Sequence, residues 1–206
     1  MMDRTRLWLP LIAAVSLLIG CGRELTVART DAQSQAATDS ASSPDGSATE
    51  EGKMNITSPA FQDHGPIPVK YTCDGNDTIP PLEFENVPPD AKSLALVMND
   101  PDVPPGVNPT RNWDHWVVYD IPADLREIRE GEAPEGVTGK NSWGKNQYGG
   151  PCPPDRQHRY FFRLYALDES LDLPPFKTGR PEVLDAMKGH VLAEAELVGV
   201  YGPKKK

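Results

Sequence analysis

The chain has 206 residues, of which 30 are acidic and 21 are lysine or arginine, and its formal net charge is −9. A protein this acidic repels nucleic acid and anionic membrane surfaces, so neither is expected to bind it through bulk electrostatics. The 22 prolines argue against a helical protein, because proline interrupts helix interiors and is confined to the edges of sheets.

The N-terminal segment is typical of a secretory signal. Residues 7–19 are mostly apolar and follow a short, slightly basic start. This run is too short for a transmembrane helix, which needs about 20 residues. It ends in Leu-Ile-Gly-Cys at 18–21, which resembles the bacterial lipobox. We therefore predict a lipoprotein signal peptide over residues 1–20 and lipidation at Cys21; a signal peptide that merely ends near a cysteine is the alternative.

The predicted lipid would anchor the protein in the bacterial cell envelope, on the periplasmic or extracellular face, and would be its one contact with the membrane. Residues 21–53 carry few large apolar side chains. They cannot bury enough surface to offset the entropy of ordering, so a disordered linker is predicted there. Residues 54–206 remain, about 150 residues, which is the ordinary size of one domain.

Short strand patterns dominate the predicted domain, with many β-branched and aromatic residues in alternating or continuous apolar runs. The predicted strands are residues 93–100, 115–121, 159–167 and 192–201. Residues 180–189 predict a helix, because Pro181 suits its first turn and Gly189 its end. The pattern predicts a mainly β fold, a β-rich α+β domain with long proline-rich loops.

Reactive side chains concentrate where the predicted strands end or begin. Asp100 closes the first strand, His115 opens the second, and His158 immediately precedes the third. Antiparallel pairing would bring the end of the first strand and the starts of the other two to the same edge of the sheet. We therefore expect these three side chains to meet.

Four stretches carry a resemblance to a known family. They are DPDVP at 100–104, WDHWVVYDIP at 113–122, YGGPCPPDRQHRYFFRLYAL at 148–167 and MKGHVLAEAELVGVYG at 187–202. Together they resemble the phosphatidylethanolamine-binding protein family, in its bacterial Raf-kinase-inhibitor-like branch. The resemblance implies a large antiparallel sheet packed on a smaller sheet with a few peripheral helices, and a small anion-binding pocket at the surface.

The resemblance also implies which residues bind the ligand. The positions that match the family's motifs are Asp100, Asp102, His115, Gly150, Pro151, His158 and Tyr160. Cys152 departs from the pattern, because eukaryotic members tend to have proline there. It could narrow the pocket, form a disulfide or offer a thiol.

A physical constraint shapes the expected site, because carboxylates repel an anion. An aspartate is therefore expected to accept a hydrogen bond from one imidazole nitrogen and favour the protonated ring, so that the other nitrogen donates to the ligand. The backbone N–H groups of Gly149 and Gly150 are expected to approach the oxyanion, and the Tyr160 hydroxyl to donate to it. On this hypothesis, anion affinity weakens as the pH rises through the histidine titration.

The remaining site predictions concern the pocket wall and the cysteines. Pro104, Trp113 and Trp116 are expected to form an apolar wall. An exported protein meets oxidising conditions, so a Cys73–Cys152 disulfide is one interpretation. Spacing alone does not establish it, because the two Cα atoms must lie within about 7 Å.

The predicted function is a non-enzymatic binding module without cofactor, metal or catalytic residue. Its expected ligand is a phosphate or a phosphorylated headgroup, and it would regulate a partner protein or a protease. The alternative is a hydrolytic or metal-dependent enzyme that uses Asp100, His115 and His158, or Cys152 with His158 as its base. Each histidine also has a purely structural interpretation, His115 as a half-buried strand residue and His158 as a surface residue.

Overall fold

The computed structural model describes residues 52–203, so the predicted signal peptide, Cys21 and most of the predicted linker lie outside the described residues. The strands in chain order are β1 (Asn55–Thr57), β2 (Gly65–Pro66), β3 (Leu82–Glu85), β4 (Ser93–Asp100), β5 (Trp113–Pro122), β6 (Glu127–Ile128), β7 (Val137–Thr138), β8 (His158–Leu167) and β9 (Val191–Tyr201). A 3-10 turn covers Val69–Tyr71, and the helix α1 covers Arg180–Ala186. No helix within residues 52–203 is long and apolar enough to cross a membrane.

Two sheets organise these elements. The larger has the order β2-β9-β8-β4-β5-β7, and the smaller has the order β1-β3-β6. Strand β4 pairs antiparallel with both β5 and β8. All eight of its residues are buried, as its continuous apolar run predicts for a strand covered on both faces.

The hydrophobic core lies on both faces of the large sheet. On one face, Leu96 and Phe162 pack in a cluster that also contains Ile56 and Phe84 of the small sheet. On the other face, Val117 and Tyr119 cluster with Val183 of α1. Because successive strand residues point to opposite faces, β4, β5 and β8 are clamped between two layers, and their ends form a rigid base for the side chains they carry.

The structure confirms the predicted β-rich α+β class and the large sheet packed on a smaller one. All four predicted strands are present, and β4 has the predicted bounds. The predicted helix is shorter than expected, because it ends at Ala186. The remaining strands have two to four residues, too few for an alternating pattern to stand out.

Candidate functional site

The end of β4 and the start of β8 bring Asp100 and His158 together. The antiparallel register pairs Asn99 with Phe161, so the two strand ends lie at the same edge of the large sheet. His158 Nδ1 lies 2.7 Å from Asp100 Oδ2. Their side chains are 0% and 4% exposed. The predicted meeting of these two residues is therefore observed as a buried pair.

Asp100 fixes the orientation of the His158 ring. Its other carboxylate oxygen, Oδ1, accepts a hydrogen bond from the Asp102 backbone N–H at 2.7 Å. Burial raises the pKa of Asp100, and the hydrogen bond from His158 opposes that rise. With both oxygens engaged, the carboxylate holds the ring in one position and directs the second ring nitrogen, Nε2, away from the core.

The second ring nitrogen of His158 already has a partner, which differs from the expectation that it is left for a ligand. Nε2 lies 2.8 Å from Asp155 Oδ1, and the Asp155 side chain is 43% exposed. Arg156 donates to the other oxygen of Asp155 at 2.7 Å. Since carboxylate oxygens accept hydrogen bonds, Nε2 faces an acceptor in this structure, as Nδ1 does.

The Asp102 carboxylate pairs with Arg159 and not with a histidine. Arg159 donates to its carboxylate from the backbone N–H at 3.0 Å, from Nε at 2.8 Å and from Nη2 at 2.8 Å. These hydrogen bonds lower the pKa of Asp102. Arg156 also donates to the backbone carbonyl of Asp102 at 3.1 Å. Asp102 therefore ties the loop after β4 to the start of β8.

His115 is buried beside Tyr160 but differs from His158 in its partners, because no carboxylate contacts its ring in the described structure. Its Nδ1 donates to the Gly149 carbonyl at 2.7 Å, so in the neutral ring Nε2 is an acceptor. Its ring lies edge to face with Tyr160, with centroids 5.1 Å apart. Burial lowers the pKa of His115 to about 4. His115 is therefore uncharged at neutral pH, and the expectation of a charged donor is wrong for this residue.

The glycine pair does not present free N–H groups, so the prediction of a backbone cradle for the anion is wrong. Gly149 donates to the His115 carbonyl at 3.1 Å, and Gly150 donates to Asp77 Oδ1 at 3.0 Å. The glycines instead allow close packing. A Cβ at 149 would lie 2.5 Å from the Trp143 ring, and a Cβ at 150 would lie 2.4 Å from the Tyr71 carbonyl oxygen.

Pro151 and Cys152 fasten this loop to the segment that follows the 3-10 turn. Cys152 forms a disulfide with Cys73, and their Cα atoms are 5.4 Å apart. The Cys73 N–H donates to the Pro151 carbonyl at 3.1 Å. A disulfide sulfur is not a thiolate nucleophile, so the hypothesis of a free Cys152 thiol with His158 as its base is wrong for this structure.

Two buried side-chain polar groups of the site, the Tyr160 hydroxyl and Trp113 Nε1, have no partner for their hydrogens among the described residues. Tyr160 is fully buried; the backbone N–H of Cys152 faces its oxygen, but the hydroxyl proton has no acceptor. Burial and the nearby charge of Asp100 raise its pKa well above the ordinary value, so the hydroxyl keeps its proton. Because buried polar groups are nearly always paired, this hydroxyl is a candidate hydrogen-bond donor to a ligand.

The aromatic side of the site differs from the predicted wall. Trp116 is buried in the core and packs edge to face on Tyr148, with centroids 5.6 Å apart, so it is not part of the wall. Trp143, which no sequence pattern pointed to, is 44% exposed and lies edge to face with Trp113 and His115. Pro104 is half-buried in the loop after β4.

Asp155 is the other contributor that sequence reasoning missed. It lies in the loop before β8, three residues before His158. That short spacing is the sequence feature that could have indicated the contact. Within residues 52–203, no group of three or more histidine, cysteine or acidic side chains is arranged to hold a metal ion.

A cleft with a volume of about 940 Å³ lies elsewhere on the surface. Its charged and amide side chains include pairs such as Arg163 with Glu196 at 2.7 Å and Asn55 with Glu85 at 3.0 Å. None of the predicted site residues lines it. The reactive side chains and this cleft are therefore at different places, and the candidate site is identified by its chemistry.

Comparisons with known proteins agree with this arrangement of strands and loops. A family model described as phosphatidylethanolamine-binding protein matches residues 57–202. The chain is 51% identical over 154 residues to a UPF0098 protein of Methanothermobacter thermautotrophicus, with 72% of this chain and 98% of the relative covered. It is 46% identical over 148 residues to a UPF0098 protein of Chlamydia trachomatis, with 72% and 98% covered.

Solved structures show the same fold. A phosphatidylethanolamine-binding protein homologue from Chlamydia trachomatis superposes with a TM-score of 0.72 at 44% identity, covering 75% of this chain and 99% of that chain. Escherichia coli YbcL, described as a member of the mammalian family, superposes with a TM-score of 0.67 at 28% identity, covering 74% and 99%.

Proposed function

Because the chain belongs to the phosphatidylethanolamine-binding protein family, we propose that it is a binding module and not an enzyme, with a site for a small anionic group of the phosphoryl type. The relatives named UPF0098 protein carry no ligand or activity in their name. The proposal therefore depends on the chemistry of this chain's own residues.

One observation carries the proposal: the site already holds an anionic oxygen. The buried His158 ring, fixed by Asp100 at 2.7 Å, donates through Nε2 to a carboxylate oxygen 2.8 Å away. Charge-assisted hydrogen bonds of this kind are the strong ones. A phosphoryl oxygen has the same acceptor chemistry, so it fits the position that this carboxylate oxygen occupies.

A second donor and an acceptor add to the fit. The proton of the buried Tyr160 hydroxyl has no acceptor among the described residues, so the hydroxyl can donate to another ligand oxygen. The neutral His115 ring keeps Nε2 as an acceptor because Nδ1 donates to Gly149. The acceptor, His115 Nε2, suits a protonated phosphate oxygen or the N–H of an attached headgroup. A bare carboxylate has no proton to donate to it and fits less well.

The lipid anchor at Cys21 belongs to the same proposal. Lipidation would hold the domain at the envelope through a linker of some 30 residues, whose typical span is roughly 30 Å. The domain would then meet phosphorylated headgroups or a phosphorylated or acidic side chain of an exported partner. Regulation of such a partner, including a protease, is the proposed cellular role.

An NMR titration of the histidine ring signals in the purified full-length protein tests the proposal. Inorganic phosphate and phosphorylethanolamine are added in the presence of a chelator, and zinc is added afterwards to a chelator-free sample. We expect saturable shifts of His158 and His115 with both anions. Phosphate without effect and a response to zinc alone would instead favour the metal-dependent enzyme.

Two variants make the titration specific to the site. H158A removes the proposed donor and should abolish the response of His115 to phosphate. H190A is the matched control, because His190 forms an exposed pair with Asp168 at 2.9 Å on another part of the surface. The near-ultraviolet circular dichroism of each variant shows whether its core is intact, so that a loss of binding is not confused with a loss of folding.

A further inference from the structure

We propose that Asp155 is a built-in competitor for the ligand: it occupies the ring nitrogen of His158 that the anion needs, and a dianionic phosphoryl group displaces it. The inference rests on the proposed function, because it concerns the same imidazole. It assigns to Asp155 the role of setting which anions the site accepts and how tightly.

The position of Asp155 differs from that of the other aspartate on the same ring. Asp100 is 4% exposed and Asp155 is 43% exposed, while His158 itself is fully buried. The ring is therefore reached from the solvent on the Asp155 side. A ligand that arrives from the solvent meets Asp155 first and must take its place on Nε2.

The contact of Asp155 with His158 Nε2 is held less firmly than the contacts of the other two aspartates. Asp100 is held by hydrogen bonds on both of its oxygens and is enclosed by the strand ends, and Asp102 accepts three hydrogen bonds from Arg159. Asp155 lies in the exposed bend before β8, so water can solvate its carboxylate as soon as it leaves the ring. A rotation of its side chain is enough to free Nε2.

Release of Asp155 leaves no charge without a partner. Its second oxygen, Oδ2, is already bound by Arg156 Nη1 at 2.7 Å, and that arginine is itself 54% exposed. Once displaced, Asp155 keeps this partner and gains water. The protein therefore exchanges one anionic acceptor on His158 for another, with no unpaired buried group on either side of the exchange.

A tethered competitor also predicts selectivity. Asp155 is three residues from His158, so its carboxylate is present at a high effective concentration. A free monocarboxylate has the same chemistry without the tether and cannot displace it efficiently. A dianionic phosphoryl group carries more charge and more acceptor oxygens than a carboxylate, so the competitor favours phosphoryl groups over acetate.

The test compares the affinity for inorganic phosphate of the full-length protein and three variants, measured from the His158 ring nitrogen signals. D155A removes the competitor. D168A is the matched control, because Asp168 forms a similar exposed pair with His190 away from the site. The double variant D155A/Q157D returns a negative charge two residues away, at an exposed position, without restoring the contact at Asp155.

We expect D155A to bind phosphate at least about tenfold more tightly than the unaltered protein. In the unaltered protein the state with His158 Nε2 free for the ligand is a minor population, and in D155A it is not. D168A should bind like the unaltered protein, and D155A/Q157D should bind nearly as tightly as D155A. Acetate should bind measurably to the two variants that lack Asp155 and not to the unaltered protein or D168A.

Three results would overturn the inference, and they separate it from the proposed function. If the unaltered protein binds phosphate and D155A binds it equally or less tightly, Asp155 is no competitor and the proposed function stands. If D155A/Q157D returns to the unaltered affinity, local charge and not occupancy sets the affinity. If neither the unaltered protein nor D155A binds phosphate, the proposed function fails and the inference fails with it.

Discussion

The two histidines of the site have the same side chain and opposite roles, because their neighbours differ. His158 lies between two carboxylates, with Nδ1 2.7 Å from Asp100 and Nε2 2.8 Å from Asp155. His115 donates to a backbone carbonyl and packs against the rings of Trp143 and Tyr160. One ring faces anionic oxygens through both nitrogens, and the other, which is uncharged at neutral pH, can supply an acceptor.

The Tyr160 hydroxyl provides a prediction that separates stability from binding. In Y160F the protein loses a buried hydroxyl whose proton has no acceptor and whose oxygen faces the Cys152 N–H, so its free energy of unfolding should change by less than about 1 kcal/mol. Affinity for phosphate should nevertheless fall about fivefold to tenfold, the effect of one lost hydrogen bond. Urea unfolding and the phosphate titration measure the two effects.

Y148F is the matched control for that variant. The Tyr148 hydroxyl is also buried but donates to the Tyr71 carbonyl at 2.7 Å, so its removal should cost about 1–2 kcal/mol of stability. A comparable loss of stability in Y160F would show that the Tyr160 hydroxyl proton has an acceptor after all.

His115 predicts how stability depends on pH. Its pKa falls from 6.5 to about 4 on folding because of burial, so between these values the unfolded chain takes up a proton that the folded chain does not. Stability contributed by the neutral ring is therefore lost as the pH falls from 6.5 to 4, by about 3 kcal/mol in total. Urea unfolding measured at pH 7, 6, 5 and 4 gives this slope.

H115N keeps a side-chain donor without a titratable ring, and should flatten the pH dependence by this amount. H64Q is the control, because His64 is exposed and its replacement should leave the slope unchanged. If H115N and the unaltered protein lose stability in parallel between pH 6.5 and 4, His115 is not the group that senses the acid.

At the scale of elements, the sheet edge is held together by loops that sequence patterns describe poorly. The strands were predictable because each has a run of apolar residues with a clear period, and β4 is the plainest case. The partners of the loop groups were not predictable. Asp77 lies 73 residues from Gly150 in the chain, and nothing in its local sequence indicates that it accepts that N–H.

The contact of Asp155 with His158 shows a different limit of sequence reasoning. The spacing of three residues allows the contact, but the path of the loop decides it, and that path depends on the Cys73–Cys152 disulfide. Gly149 and Gly150 were correctly singled out for a close approach, yet the approaching groups are Trp143 and a backbone carbonyl. A glycine in the sequence predicts that another group packs closely against the backbone, but it does not predict which group.

The disulfide gives a prediction for the loop as an element. It closes a segment of 79 residues, so C73S/C152S should lower the free energy of unfolding by about 2–5 kcal/mol. Because the loop carries the contacts of Gly149 and Asp155, phosphate affinity should change as well. Urea unfolding with and without reductant measures the loss.

Reductant should lower the stability of the unaltered protein by the same amount and leave C73S/C152S unaffected. An unaltered protein whose stability does not respond to a strong reductant under unfolding conditions would show that the two cysteines are not paired.

At the scale of the whole molecule, the large sheet acts as a rigid frame that presents two histidines, a tyrosine and an aspartate at one edge. Family membership establishes this frame, and the residues at the edge decide what it binds. The formal net charge of −9 gives the protein no long-range attraction for anions. Selectivity must therefore come from short-range hydrogen bonds and not from long-range attraction of anions.

A crystal structure of the protein with inorganic phosphate shows whether His158 binds the anion. We expect a phosphate whose oxygens lie within hydrogen-bond distance of His158 Nε2 and the Tyr160 hydroxyl, with Asp155 rotated toward Arg156. A phosphate bound elsewhere at saturating concentration, with Asp155 still on His158 Nε2, would contradict this expectation.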